Sequence, residues 1–333
     1  MVDRKANIDL LRVISAAAIV ILHSETAPIG NASSPIPLLT EQILTVIHSL
    51  TLWAVPAFFI ITGYCLLLKP ECSYKYCFLH IRKFVIVLFT VGLFYALLEE
   101  VYSTGMVNGL VVLVAVKNVI AGNIWEHMWF VYAIIGIYLV MPVVHGFVKR
   151  ERKDSFILTA ILFAFNILFP IFQKWTPIGV ELPFGGYLFY VCFGGLIAKY
   201  GIRKREMIVI VIAGLVSAAY LGVHYNGKIA EPIDLLAVCI VSLAVFLIFE
   251  HMKIRPSRLL LTLAKCSWGI YLLHPLIINV ALKVLKMDFV SYMPYVKIPL
   301  LAFVHLYFPL PLHICLGKSR LSRNCFNCCY QRQ

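Results

Sequence analysis

Charge is scarce in this sequence, and acid is the scarcest of it. Of 333 residues only 14% are charged, and the 16 Asp and Glu face 29 Lys and Arg. An ordinary soluble domain carries about 25% charged residues, so a soluble enzyme is excluded. Low-complexity tracts, long linkers and internal repeats are also lacking, which argues for one domain and against a solenoid. The first apolar run is not followed by a small-residue cleavage pattern, so it reads as a retained helix rather than a removed signal peptide. Ten cysteines are present, but most fall inside apolar runs, where cysteine serves as a small apolar residue, and no disulfide framework is expected. The stretch CFNCC, with Cys325, Cys328 and Cys329, has a CxxC spacing without a second pair or a histidine cluster beside it. No metal is expected there.

What is abundant is apolar sequence, 61% of the chain, with a mean hydropathy of +0.89. A bilayer core takes about 20 apolar residues per helix, and such runs lie near 8–28, 46–68, 82–102, 127–148, 155–172, 184–199, 207–224, 233–250, 263–284 and 297–316. The expected fold is therefore all-α, a polytopic helical bundle of about ten transmembrane helices. The last run is the weakest, because Pro299, Pro309 and Pro311 each remove a backbone donor that lipid cannot replace. Basic residues test the count independently, since they favour cytoplasmic loops. With the N-terminus inside, all but six of the 29 fall on the cytoplasmic side, and the six are Lys117, Lys174, Lys228, Lys283, Lys286 and Lys297. Both termini are then cytoplasmic. The net charge of +13 is accounted for by membrane insertion and anionic lipid, and no nucleic-acid partner is implied. Residues 1–316 form the membrane domain in this reading, and 317–333 form a basic, cysteine-containing tail. Between the third and fourth runs, GLVVLVAVKNVIAG is too short to span and reads as a re-entrant or interfacial helix.

The stretch LLRVISAAAIVILHS breaks its apolar pattern at Arg12 and His23. Eleven residues at 100° each place the two about 20° apart on one helix face, and about 16.5 Å apart along the axis. Arg12 then lies near the cytoplasmic interface and His23 toward the outer half. Alone, the arginine would snorkel to headgroups and the histidine would be a bonded interior group. A shared face makes the pair a functional candidate. Asp9, three residues before Arg12, suits a local ion pair. Ser267, Tyr271 and His274 also share a helical face, either lining a cavity with hydroxyls that donate to a developing oxyanion or forming a packing stripe. His127 and Trp129 fall at an outer interface, where aromatic belts occur. His80, His145 and His251 read as surface histidines, and Glu25 has no evident role.

NIDLLRVISAAAIVILH, with its basic residue, ten intervening residues and histidine, resembles the first helix of the bacterial acyltransferase-3 family of membrane acyltransferases. VPAFFIITGYCLL from Val55 is similar to the second-helix motif, with Thr62 where many members have serine. HMWFVYAIIGIYLVMP from His127 resembles the fourth-helix motif, and SWGIYLLHPLI from Ser267 the late one. The four stretches occur in family order over roughly residues 7–300. One departure lies before the third helix, where members often carry two arginines three apart and LHIRK offers Leu79 and then Arg82, with Lys83 beside it.

The resemblance implies transfer of an acyl group, commonly acetyl from cytoplasmic acetyl-CoA, to a hydroxyl of an envelope glycan or lipid-linked sugar, in the inner membrane. The short form without an appended periplasmic domain resembles the O-acetyltransferases of lipid-linked enterobacterial antigen sugars. Histidine suits the required base, so His23 is the catalytic candidate, as base or as covalent nucleophile. Arg12, Arg82 and Lys83 are the candidates for the coenzyme phosphates. Ser267, Tyr271, His274, His127 and Trp129 are the candidates for the substrate cavity. The competing class is a multi-pass transporter or flippase of an envelope glycan or lipid precursor, for which internal repeats and paired broken helices would be the signature.

Overall fold

The computed structural model describes residues 5–30, 37–173, 186–224 and 232–287, together with Lys297 and Leu300. The tenth run, 297–316, and the tail with CFNCC lie outside the described residues. Among the described residues the regular structure is helical, with no strand. Eight stretches are long and apolar enough to cross a membrane: Ala6–Ala27, Leu38–Leu66, Tyr74–Thr104, Glu126–Lys149, Arg152–Ile171, Lys204–His224, Ile233–His251 and Arg258–Val284. The chain is thus an all-α, multi-pass membrane protein. The run expected at 184–199 is the helix Tyr187–Tyr200, whose 14 residues span only about 21 Å. GLVVLVAVKNVIAG forms the short helix Gly109–Ala121.

Polar residues at the ends of the apolar runs set the helix limits. In α4 (Tyr74–Val87) the Ser73 hydroxyl accepts from the Tyr76 N–H, and in α13 (Arg258–Asn279) Ser257 accepts from Leu260 N–H. Asn108 does the same for Val111 at the start of α6 (Gly109–Ala121), which ends at Gly122 with φ 79°. Each cap satisfies a backbone donor that the helix itself leaves open.

The centre of the bundle is the packing of α3 (Ala54–Leu66) against α10 (Tyr187–Tyr200). Glycine makes this contact possible: a Cβ at Gly63 would lie 1.8 Å from Val191 O, and one at Gly194 would lie 2.1 Å from Ile60 O. Beside this pair, α1 (Ala6–Gly30) packs against α3, α13 and α12 (Pro232–His251), while α4 packs against α7 (Trp129–Lys149). By contrast, α11 (Lys204–His224) turns Val209, Leu215 and Val216 outward, each at least 60% exposed. A ridge of that kind is stable against lipid tails and costly against water.

Residues assigned to one side of the membrane from sequence meet at one end of the fold. At the basic end Lys199 Nζ donates to Val148 O at 2.6 Å and to Arg150 O at 2.9 Å, and His145 Nε2 pairs with Lys69 O at 2.8 Å. Lys5 there donates to Tyr64 and to Glu250. Burial disfavours the Lys5 ammonium, but Tyr64 and Glu250 outweigh it and hold its pKa above the ordinary lysine value. At the opposite end Glu25 pairs with His48, and Lys283 with Glu99. Two histidines expected on the surface are in fact buried. His80 lies under Tyr138 with the rings 5.4 Å apart, and His145 is held by the carbonyl of Lys69. Helix packing at the inner end covers them, whereas His251 is exposed as expected.

Candidate active site

Two cavities lie along α1 and α13, the first bounded also by α3, α4 and α7 and the second by Glu99 and the segment from Trp125 to His127. The first, about 830 Å³ with the open space at its mouth, has Arg12 toward the basic end and Tyr271 toward the other. Its walls are mainly apolar, including Phe58, Phe130, Ile134 and Trp268. Arg12 pairs with Asp9 at 3.7 Å, both largely buried, as the i,i+3 spacing suggests. The hydroxyls of two lining residues donate to their own helices, Thr62 to Phe58 O at 2.8 Å and Ser267 to Ala264 O at 2.9 Å. A hydroxyl used as a donor keeps its lone pairs, so both remain acceptors.

The second cavity, about 620 Å³ with the open space at its mouth, lies toward the opposite end and is lined by His23, His127, Trp125, Glu99, Asn279 and Lys283 among others. Around it the histidines gather. The His23 ring is 5.1 Å from that of His274, which is 5.6 Å from that of His127. His274 Nδ1 faces two carbonyl oxygens, Tyr271 O at 2.7 Å and Ile270 O at 3.2 Å. That nitrogen therefore carries the proton in the neutral ring, and Nε2 is the basic one. His127 is 4% exposed, and its Nε2 has no hydrogen-bond partner.

Tyr271 stands between the two spaces. Its ring stacks on Trp268 at 5.1 Å and meets His127 edge-on at 5.7 Å. Its hydroxyl donates to the backbone carbonyl of His127. With Ser267 bonded to Ala264 O, neither proton proposed for an oxyanion points into open space here.

The expected residues thus divide. Arg12, Ser267 and Tyr271 line the first cavity, His23 and His127 the second, and His274 joins the two histidines. Arg82 is exposed and Lys83 half-buried on α4, and neither lines either cavity, although their neighbour Phe84 does. Trp129 lines neither, and stacks on Tyr187 at 5.0 Å. Residues not anticipated are Glu99, Trp125 and Lys283, joined by hydrogen bonds at the outer cavity, and Glu25 with His48. Glu25 is 1% exposed and bonds His48 Nδ1 at 2.5 Å. A signal existed for two of them: Glu99 interrupts the apolar run LFYALLEEVY, and Lys283 is one of the six basic residues that fall outside the cytoplasmic segments.

A sequence model described as an acyltransferase domain, acyltransferase-3, matches residues 5–315. Neither a curated protein nor a solved structure matches the chain.

Proposed function

The chain belongs to the acyltransferase-3 family of membrane acyltransferases, and from that premise we propose that it transfers an acetyl group from acetyl-CoA to a hydroxyl of an envelope glycan or lipid-linked sugar in the inner membrane. The single observation that carries this reading is the placement of Arg12 and His23. The two share a helix face, yet one lines a cavity at the basic end and the other a cavity at the far end. A donor and an acceptor arriving from opposite sides would meet at their boundary.

The phosphates of the coenzyme are anionic groups that arginine holds through a planar fork of N–H donors, and Arg12 would exchange Asp9 for them. The pantetheine arm carries two amides and one hydroxyl, joined by short apolar stretches. The apolar walls suit the chain, and the hydroxyl oxygens of Thr62 and Ser267 suit the amides. The thioester would then reach the region of Tyr271, about the depth of His23.

There His23 takes the proton of the acceptor hydroxyl. The oxygen attacks the thioester carbonyl carbon, the C–S bond breaks, and the coenzyme thiolate takes the proton back from the imidazolium. The products are the ester and free thiol. His274, with Nδ1–H fixed by the carbonyls, packs against the His23 ring and orients it. A covalent route, in which His23 itself carries the acyl group, needs donor alone, whereas the base route needs donor and acceptor together.

The test uses purified protein in proteoliposomes with radiolabelled acetyl-CoA. Binding of the donor, with slow hydrolysis or transfer of its acetyl group, is expected. A protein that moves a glycan across the bilayer with no acyl turnover is instead the transporter or flippase. An acetyl-histidine trapped without acceptor would select the covalent route.

A further inference from the structure

The wall of the outer cavity bears charges that acyl transfer does not use. Glu99, midway along α5 (Leu93–Thr104), accepts from Lys283 Nζ through both carboxylate oxygens at 2.9 Å. It also accepts from Trp125 Nε1 at 2.8 Å. Lys283 lies over the ring of Tyr102 at 5.1 Å, so its ammonium is held from two sides. Glu126 lines the same cavity and is exposed. Among the described lining residues two carboxylates therefore face one ammonium, and that ammonium is already paired. A second observation marks the space as a ligand site. His127, buried in its wall, keeps Nε2 without a hydrogen-bond partner, and buried polar atoms in this state are rare.

We infer that this mouth selects the acceptor by charge, admitting a polyhydroxylated ring that is neutral or bears an ammonium and rejecting one that bears a carboxylate or phosphate. The inference rests on reading the outer cavity as the acceptor side. Sugar hydroxyls are donors that Glu99 and Glu126 accept. The apolar face of a sugar ring suits Trp125, which is held flat against Tyr95 at 4.2 Å. An anion on that ring would meet the like charge of Glu126, which no described lining cation other than the paired Lys283 offsets, at a separation well inside a Debye length. Lys283 does not relieve it without giving up both bonds to Glu99. The first cavity has the opposite character, its lining cation being Arg12. The polyanionic donor and an uncharged acceptor are thereby sorted to their own sides.

The experiment compares three probes in proteoliposomes supplied with acetyl-CoA: methyl glucoside, its 2-amino analogue and methyl glucuronide. Acetyl transfer is read first. Inhibition of acetyl-CoA hydrolysis is read in parallel, and ranks binding where transfer is slow. The glucoside and the amino analogue should outrank the glucuronide by about tenfold. Glu126→Gln should shrink that gap by about the same factor, because it removes the carboxylate that Lys283 does not offset, and Glu99→Gln should shrink it as well, because it frees the Lys283 ammonium to pair with the glucuronide. Equal ranking, preference for the glucuronide, or no effect of any glycoside in either readout overturns the inference. Acetyl-CoA turnover with the wrong ranking overturns it alone, whereas absence of any turnover overturns the reading of function on which it rests.

Discussion

Arg12 and His23 stand on one side of one helix but line different cavities, with the ring of Tyr271 at the boundary between them. A basic group and a titratable ring are thus held at fixed spacing across a partition. The partition itself is made of aromatic stacking, Trp268 on Tyr271 and Tyr271 against His127. With the proposed donor in the first cavity, such an arrangement would keep its thioester away from water on the other side.

Tyr271→Phe keeps the ring and loses only the hydrogen bond to His127 O, so turnover should fall by about tenfold at most. Tyr271→Ala opens the partition. The ratio of acetyl-CoA hydrolysed to acetyl transferred should then rise, as measured by product analysis of both. An unchanged ratio in the alanine variant would show that the ring does not separate donor from water.

Arg12→Ala should weaken acetyl-CoA binding by about 10-fold to 100-fold, the scale of a charged hydrogen bond. Arg12→Lys should restore part of it, since an ammonium lacks the bidentate fork. Equilibrium binding of labelled donor reads both. Equal affinity in wild type and Arg12→Ala would leave the arginine as an anchor to headgroups.

Gly63→Ala places a methyl against Val191 O, where no flexible side chain can yield. It should lower stability in detergent by about 1–3 kcal/mol or more. Gly146→Ala has nothing within 4 Å and should be neutral or slightly stabilising through helix propensity. Thermal unfolding of the two variants side by side checks the α3–α10 crossing.

A cysteine at Asn108, exposed at the cap of α6, should react with an impermeant maleimide in intact cells. One at Arg203, exposed between α10 and α11, should react only after the cells are opened. Labelling of position 203 from outside would invert the orientation read from the lysines and arginines.

Much of the fold is legible in the sequence because bilayer thickness turns composition into element length. The first nine apolar runs all correspond to helices, and the short GLVVLVAVKNVIAG to a short one. Helical spacing also carried the pairing of Asp9 with Arg12 and the joint exposure of Ser267 and Tyr271 to one cavity. What spacing does not carry is contact between helices distant in sequence. Glu25 found His48, and Glu99 found Lys283 and Trp125, through tertiary packing alone. The burial of His80 and His145 has the same origin, since a residue near a span end is exposed or covered according to what packs over it.

His23 is where donor and acceptor are proposed to meet, and one comparison tests that most directly: acetyl transfer by wild type, His23→Ala and His23→Gln in proteoliposomes, with donor binding measured on the same preparations. Both variants should bind acetyl-CoA near the wild-type affinity, because Arg12 and the first cavity are untouched. Both should lose transfer by at least about 100-fold, the contribution of a positioned general base. Substantial transfer by His23→Gln, which keeps a polar side chain but cannot carry the proton, would contradict the account.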